Sequence, residues 1–361
     1  MTDDLVRILD GNTFVVSDRG GDIEATATDP TGFFSFDTRF LSRWVLTIDD
    51  ERLTSLSTDD MHYFEAQFFL VPGTGTVYVD ADLTVIRQRV VQGGFREQLT
   101  LLNHDEEPVE VRVRIDAGSD FADLFEVKDA LQKKGAVGAK VDDGRLVLQY
   151  VRDTFRRTTT ISSTEPAQVD ERGLSFTVRI EPHESWTTEL RVVPTLLGPD
   201  DLPLVPRPAR GAPPLRDMLE DLDEWTGRAP QLVTDSDALA ATYRRSLVDL
   251  AALRFSPVIA GSRSLPAAGL PWFMTMFGRD SILTSLQALP FAAELAATTL
   301  RVLGTWQGTR VDDFRDEDPG RILHEMRYGE MTAFEERPHS PYFGSADATP
   351  LFVVLLDEYE R

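Results

Sequence analysis

The chain has 361 residues, 42% of them hydrophobic and none of them Cys, which is enough for about two domains with sizeable cores at roughly 100 to 200 residues each and excludes disulfides and thiolate chemistry. Its 37 basic and 60 acidic residues leave a net charge of -23, which argues against a nucleic acid, whose phosphates would be repelled, but not against a neutral polymer. No apolar run approaches the about 18 residues needed to cross a bilayer, and MTDDLVRILDG has neither a basic n-region nor a long apolar h-region, so the expected compartment is the cytoplasm.

From the N-terminus, short alternating segments predict strands. Glu110 to Ile115 (EVRVRI), Ser175 to Ile180 (SFTVRI) and Thr187 to Val193 (TTELRVV) trade apolar and polar positions as half-buried strands require. Gly93-Gly94, Asp142-Asp143-Gly144 and Glu171-Arg172-Gly173 are turn signals between such runs, and together they predict an antiparallel sandwich. His62, His104 and His183 stand singly and make no ligand cluster. All four lysines, Lys128, Lys133, Lys134 and Lys140, fall in one short segment, which reads as a solvated loop, a docking patch being the alternative.

A boundary follows near residue 196. Pro199, Pro203, Pro206, Pro208, Pro213 and Pro214, with Pro194 just before them, break both helix and sheet and mark a linker. Leu215, Met218, Leu219, Leu222 and Trp225 then recur at helical spacing, predicting an amphipathic helix that packs between domains. Beyond Pro230 the pattern is helical: Asp235 to Arg254 behind an Asp or Ser cap, Pro290 to Leu303 with Pro near its first turn, and a segment from Asp347, with Pro350 close inside its start, to the last residue.

The densest chemistry lies between the first two of these helices, in GLPWFMTMFGRDSILTSLQAL from Gly269 to Leu289. Trp272, Phe273 and Phe277 sit among Gly269, Pro271 and Gly278, which predicts an irregular loop. Arg279 offers a planar fork of donors and Asp280 an acceptor-only carboxylate; side by side they suit two neighbouring hydroxyls of a sugar ring. Asp280 or Ser281 is also expected to cap the following helix, and a plain salt-bridged cap is the alternative reading of the pair.

PWFMTMFGRDS, HEMRYGEM (His324 to Met331) and PYFGSADATPLF (Pro341 to Phe352) together resemble the amylo-alpha-1,6-glucosidase, or bacterial glycogen-debranching-like, family. LDGNTFVVSDRGGDI (Leu9 to Ile23) and GFFSFDTRFLSRW (Gly32 to Trp44) resemble the N-terminal domain found ahead of that catalytic domain. The resemblance implies a β-sandwich over 1–195, a Pro-rich linker with an amphipathic helix over 196–230, and an (α/α)6 toroid glycoside hydrolase domain over 231–361 that is incomplete at its C-terminal end. Twelve helices of about 11 residues with connections of about 5 need roughly 190 residues, so 235–361 is expected to supply a third to a half of the ring.

The resemblance further implies hydrolysis of alpha-1,6-linked glucose at glycogen or α-glucan branch points by inversion, without a cofactor. Carried over by motif, Arg279 and Asp280 hold hydroxyls of the terminal glucose, Trp272 and Phe273 line the pocket, His324, Glu325 and Arg327 add polar contacts, and Asp347 faces the same pocket from the next helix start. No residue matches the family's general acid or base, which are expected beyond residue 361. Glu325 is the weak candidate: a neighbouring guanidinium suits a base better than an acid. The run Asp316-Glu317-Asp318 reads as a solvated loop, and His324 and His339 lack the spacing of a structural metal site, an oxygen-rich calcium site staying open. Two other readings stay open: a non-catalytic glucan-binding or accessory protein, and a toroid glycosidase for a small glycoside such as mannosylglycerate, trehalose or glucosylglycerate.

Overall fold

The structure, a computed structural model, describes residues 5–73, 82–198, 204, 215–255 and 264–361, in two units, Met1–Pro208 and Ala209–Arg361. The proline-rich stretch expected as a linker lies, apart from Gly198 and Leu204, outside the described residues.

Among the described residues, the first unit is built on two large antiparallel sheets, consistent with a β-sandwich. An eight-stranded sheet runs in the order Ala136–Asp142, Arg145–Arg152, Phe155–Ser163, Ser185–Leu197, Phe95–Asn103, Leu83–Val91, Glu65–Val71 and Thr54–His62. A six-stranded sheet includes Gln168–Asp170, Gly173–Ile180, Val109–Gly118, Arg43–Ile48 and Ile23–Glu24 in that order, with Glu51–Arg52 paired beside Arg43–Ile48. A four-stranded sheet made of Val6–Asp10, Thr13–Ser17, Gly32–Ser35 and Thr38–Leu41 completes the unit. The alternating segments of the sequence fall inside three of these strands. Pro194 also lies in a strand, opposite Thr159. The neighbour on its other side ends at the Phe95 to Val192 pair, and a proline is tolerated where a strand has become an edge.

The core between the sheets is aromatic, with Trp44 against Phe95 at 5.2 Å, Phe33 against Phe95 at 5.6 Å and Phe176 against Trp186 at 5.3 Å. Inside it sit three fully buried charges. Arg87, Arg89 and Glu97 are each 0% exposed. The Glu97 carboxylate accepts from Arg87 Nε at 3.0 Å, Arg89 Nε at 2.8 Å and Trp44 Nε1 at 3.2 Å. Burial opposes its charge, but the two guanidinium groups outweigh that and hold its carboxyl below the usual range. The arginines reach on to the Gly20-Gly21 turn: Arg87 Nη1 donates to the Gly20 carbonyl at 2.9 Å and to Asp22 at 2.6 Å, and Arg89 Nη2 to the Gly21 carbonyl at 2.6 Å. Gly21 has φ +82°, and a Cβ there would meet the Phe68 ring at 3.0 Å, so the turn needs glycine.

The lysine segment is not uniformly solvated. Lys133 Nζ pairs with Glu126 at 2.9 Å and lies 4.4 Å from the Tyr150 ring centre. The single histidines stay apart: His62 lies beside Glu65, His104 bonds Thr84, and His183 is exposed.

The second unit is mainly helical. Leu215–Arg228 is the expected amphipathic helix and belongs to this unit, where Trp225 Nε1 donates to the Leu247 carbonyl at 2.9 Å and Arg254 covers the Trp225 ring at 4.7 Å. Asp237–Ala252 follows behind Ser236, whose hydroxyl accepts from the Leu239 amide. The helices Gly278–Ala288, Ala293–Thr305 and Ala348–Glu360 pack on one another through buried Ile282, Ala296, Leu303 and Leu355. Pro290 lies before the second of these, three residues outside its first turn. None of the described helices is long and apolar enough to cross a membrane.

Replacing Glu97 by Ala strands two guanidinium groups in the core. Urea denaturation is expected to show a loss of about 3–5 kcal/mol; a loss under about 1 kcal/mol would mean that the carboxylate does not hold the core.

Candidate functional site

Three separate stretches of the second unit meet at the start of the Gly278–Ala288 helix. The short strand Met276–Phe277 pairs antiparallel with Glu325–Met326, Met276 opposite Met326 and Phe277 opposite Glu325. A bridge joins Glu325 to Tyr342, with His324 N donating to the Tyr342 carbonyl at 2.7 Å. Gly278, the first residue of the helix, donates its N–H to the His324 carbonyl at 2.9 Å. A Cβ on Gly278 would lie 2.0 Å from the Leu323 carbonyl oxygen, so only glycine lets the helix start this close to that strand.

The loop before the helix is therefore irregular only as far as Thr275. The helix is not capped by Asp280 or Ser281, as the sequence suggested. Phe277 occupies the N-cap position with no side-chain cap bond, and Asp280 lies in the first turn, where a carboxylate is favoured by the helix dipole. Ser281 is buried and donates to the Pro266 carbonyl at 2.7 Å.

The proposed site residues fall into three neighbouring groups. Arg279 reaches Asp347 Oδ2 at 3.3 Å and lies 3.9 Å from Asp280, and all three side chains are open to solvent. Phe273, 45% exposed, begins a run of rings: Phe273 to Phe277 at 5.9 Å, Phe277 to His324 at 5.9 Å, His324 to Tyr342 at 6.0 Å and Tyr342 to His339 at 5.0 Å. Behind that run, Arg327 Nε donates to Glu325 at 2.5 Å and Arg327 Nη2 to the Trp272 carbonyl at 2.7 Å, with its guanidinium 5.5 Å from the Phe277 ring centre. Arg327 and Glu325 are buried; His339 Nε2 lies 3.7 Å from Glu325, and burial holds the His339 imidazole below its ordinary range.

Several positions here were not visible in the sequence. Ser345 donates to Asp347 Oδ1 at 2.5 Å. Tyr342 holds His324 through its carbonyl, while a hydrogen bond to Asp316 raises its hydroxyl above the ordinary range. Glu317 is buried and accepts from the Thr309 amide at 2.9 Å, so the acidic run organises its loop and is not simply solvated. The signal for Glu317 was slight, since an acidic residue between two others reads as surface. Among the described residues, no group of three or more His, Asp or Glu is placed to hold a metal ion.

The exposed Phe273 ring, with a guanidinium and carboxylates on the adjoining helix start, suits a polyhydroxylated ligand, since a ring face packs on C–H surfaces while forked donors and acceptors take hydroxyl pairs. Residues 8–191 match the family described as the N-terminal domain of some glycogen debranching enzymes. The chain belongs to that family. No curated protein matches it. Among solved structures it is similar to a protein described as a kojibiose phosphorylase from the human microbiome, at 10% identity and a TM-score of 0.48 over 82% of this chain and 46% of that one. The chain thus spans about half the length of that protein. It is also similar to an aldose 1-epimerase from Escherichia coli K12 (9% identity, TM-score 0.32, 54% of this chain and 99% of that one). A galactose mutarotase-like protein from Clostridium acetobutylicum matches at 7% identity and a TM-score of 0.30, over 54% of this chain and 95% of that one.

The Ser345 hydroxyl, then the Arg279 guanidinium, hold the Asp347 carboxyl below its ordinary value of 3.8. A lowered carboxyl gives a tether that is present above the ordinary value and lost as the pH falls through the lowered one. NMR titration of Asp347 should show a midpoint below 3.8 that moves upward in Ser345→Ala; a midpoint that ignores the substitution would show that Ser345 does not bind the carboxylate in solution.

Proposed function

We propose that the chain belongs to a glycoside hydrolase of the amylo-alpha-1,6-glucosidase type, acting on alpha-1,6-linked glucose at glycogen or α-glucan branch points by inversion. In this reading 1–195 is the N-terminal sandwich, 196–230 the linker with its helix, and 231–361 the first part of an (α/α)6 toroid. The observation that carries it is the meeting of three family-like motifs at one helix start, where Arg279, Asp280 and Asp347 stand beside the ring run from Phe273 to His339. Exposed Val353, Val354 and Leu356 on the last helix support a ring in which further helices cover that face.

Arg279 and Asp280 bind two hydroxyls of the terminal sugar, Asp347 holds Arg279 in place, and Phe273 and Trp272 give the ring an apolar face. Glu325 and Arg327 form the buried floor. Inversion needs an acid and a base about 6.5–9.5 Å apart, and the residues matched by motif bind substrate instead of supplying that pair.

One observation favours a second reading, a glucan-binding protein without chemistry: the weak catalytic candidate, Glu325, is engaged by Arg327 at 2.5 Å and flanked by His339 at 3.7 Å. Glucose release from branched dextrin, measured against mannosylglycerate and trehalose, separates these readings. Release from dextrin alone supports the debranching type, release from a small glycoside shifts the substrate, and binding of maltooligosaccharides without turnover supports the binding protein.

In either reading Arg279→Ala or Asp280→Asn should weaken maltooligosaccharide binding roughly tenfold or more, the usual cost of removing a hydrogen bond to a charged group. Where turnover is present, Asp280→Asn should both raise KM and lower kcat, because a contact to the reacting ring tightens towards the transition state. Unchanged titrations and kinetics would take both residues out of the site.

A further inference from the structure

The first unit contains a cavity of about 400 Å³ lined by Asp18, Arg19, Asp22, Arg52, Ser55 and Arg87, with Leu46, Leu53 and Leu70 supplying its apolar walls. Its lining comes from both large sheets: Leu46 from the six-stranded sheet, Ser55, Leu70 and Arg87 from the eight-stranded one. The turn between Thr13–Ser17 and Ile23–Glu24 contributes Asp18 to Asp22. The volume falls within the range of about 300–1,000 Å³ usual for small-ligand sites.

The lining is a built one. Arg87 is 0% exposed, and three of its bonds fix it to Glu97, Gly20 and Asp22. Its Nη2, also buried, has no hydrogen-bond partner among the described residues. Asp18 is fixed by accepting the Gly20 and Asp22 amides, each at 2.8 Å, through Oδ1. Asp22 accepts the Leu46 amide at 3.1 Å.

We propose that this cavity is a second carbohydrate site, separate from the one in the helical unit, that takes a neutral sugar residue of an α-glucan chain. Arg52 is paired with Glu24 and Arg87 with Asp22 and Glu97, so the wall is close to charge-balanced and favours neither an anion nor a cation. A neutral polyol uses both kinds of group, its hydroxyls donating to the carboxylates and accepting from the guanidinium groups, while the three leucines meet its C–H face. The assignment does not depend on the hydrolase reading, since a binding protein and a debranching enzyme would use such a hold on the polymer alike.

The test is calorimetric titration of the full chain carrying Arg279→Ala and Asp280→Asn together, so that the site in the helical unit is disabled, with maltotriose and, separately, inorganic phosphate. Saturable maltotriose binding is expected to remain in that background. Adding Arg52→Ala, at an exposed position, or the isosteric Asp18→Asn, which keeps the oxygen that accepts the turn amides, should weaken it roughly tenfold or more with an unchanged melting temperature. Absence of saturable maltotriose binding, binding indifferent to Arg52→Ala, or tighter binding of phosphate than of maltotriose would each overturn the proposal. The unmodified chain separates the two sites: binding there that disappears with Arg279→Ala and Asp280→Asn supports the helical site and refutes this one.

Discussion

A single buried carboxylate sets the geometry of the first unit. Glu97 lies between the two sheets with Arg87 and Arg89 on the neighbouring strand and Trp44 across the core. Taking three charges out of water costs several kcal/mol per ion unless each finds its counter-charge and its remaining hydrogen bonds. Gly20, Gly21 and Asp22 take three of the remaining bonds, while Arg87 Nη2 and Arg89 Nη1 have no hydrogen-bond partner among the described residues, so the turn must lie where the arginines end. The network therefore ties together the sheet pairing, the path of the N-terminal turn and the shape of the adjoining cavity. An apolar replacement of similar volume could match its stability, but would not fix the turn.

In the second unit the controlling constraint is a close approach of backbones. The helix that carries Arg279 and Asp280 begins against the Leu323 carbonyl, at a distance only Gly278 permits. The Gly278 to His324 bond and the pairing of Phe277 with Glu325 then fix three chain segments to one another. Side chains from positions far apart in sequence gain a common frame without a continuous sheet or a disulfide. The exposed cluster has its own support in Ser345, which orients the carboxylate that in turn holds Arg279.

The strands of the first unit were legible because one buried face imposes a period of two; EVRVRI and SFTVRI carry it in full, and they pair with each other. Strand order was not legible, since the pairing of Phe95–Asn103 with Ser185–Leu197 joins segments some 90 residues apart and alternation holds no record of partners. The charged core did leave a trace. Arg87 and Arg89 fall in phase with Val85 and Val91, and Glu97 in phase with Phe95, Leu99 and Leu101, so the charges occupy inward positions of their strands. The motif residues of the second unit were found by resemblance, whereas Ser345 and Gly278 depend on contacts between loops and have no periodic signature.

The charge pairing within the candidate site bears on what chemistry it can support. A general acid at neutral pH must keep its proton, which requires burial away from cations. Each of the site's three named carboxylates instead lies against a guanidinium: Asp280 and Asp347 against Arg279, and Glu325 against Arg327. Of the three, the Asp347 carboxyl is held below its ordinary range by the Ser345 hydroxyl and the Arg279 guanidinium, so in the proposed reading the cluster is better suited to gripping a ring than to protonating a glycosidic oxygen. For hydrolysis to occur at this surface, a carboxylic acid in a less cationic setting would have to be brought over the scissile bond, with the Arg279 cluster holding the sugar beside it.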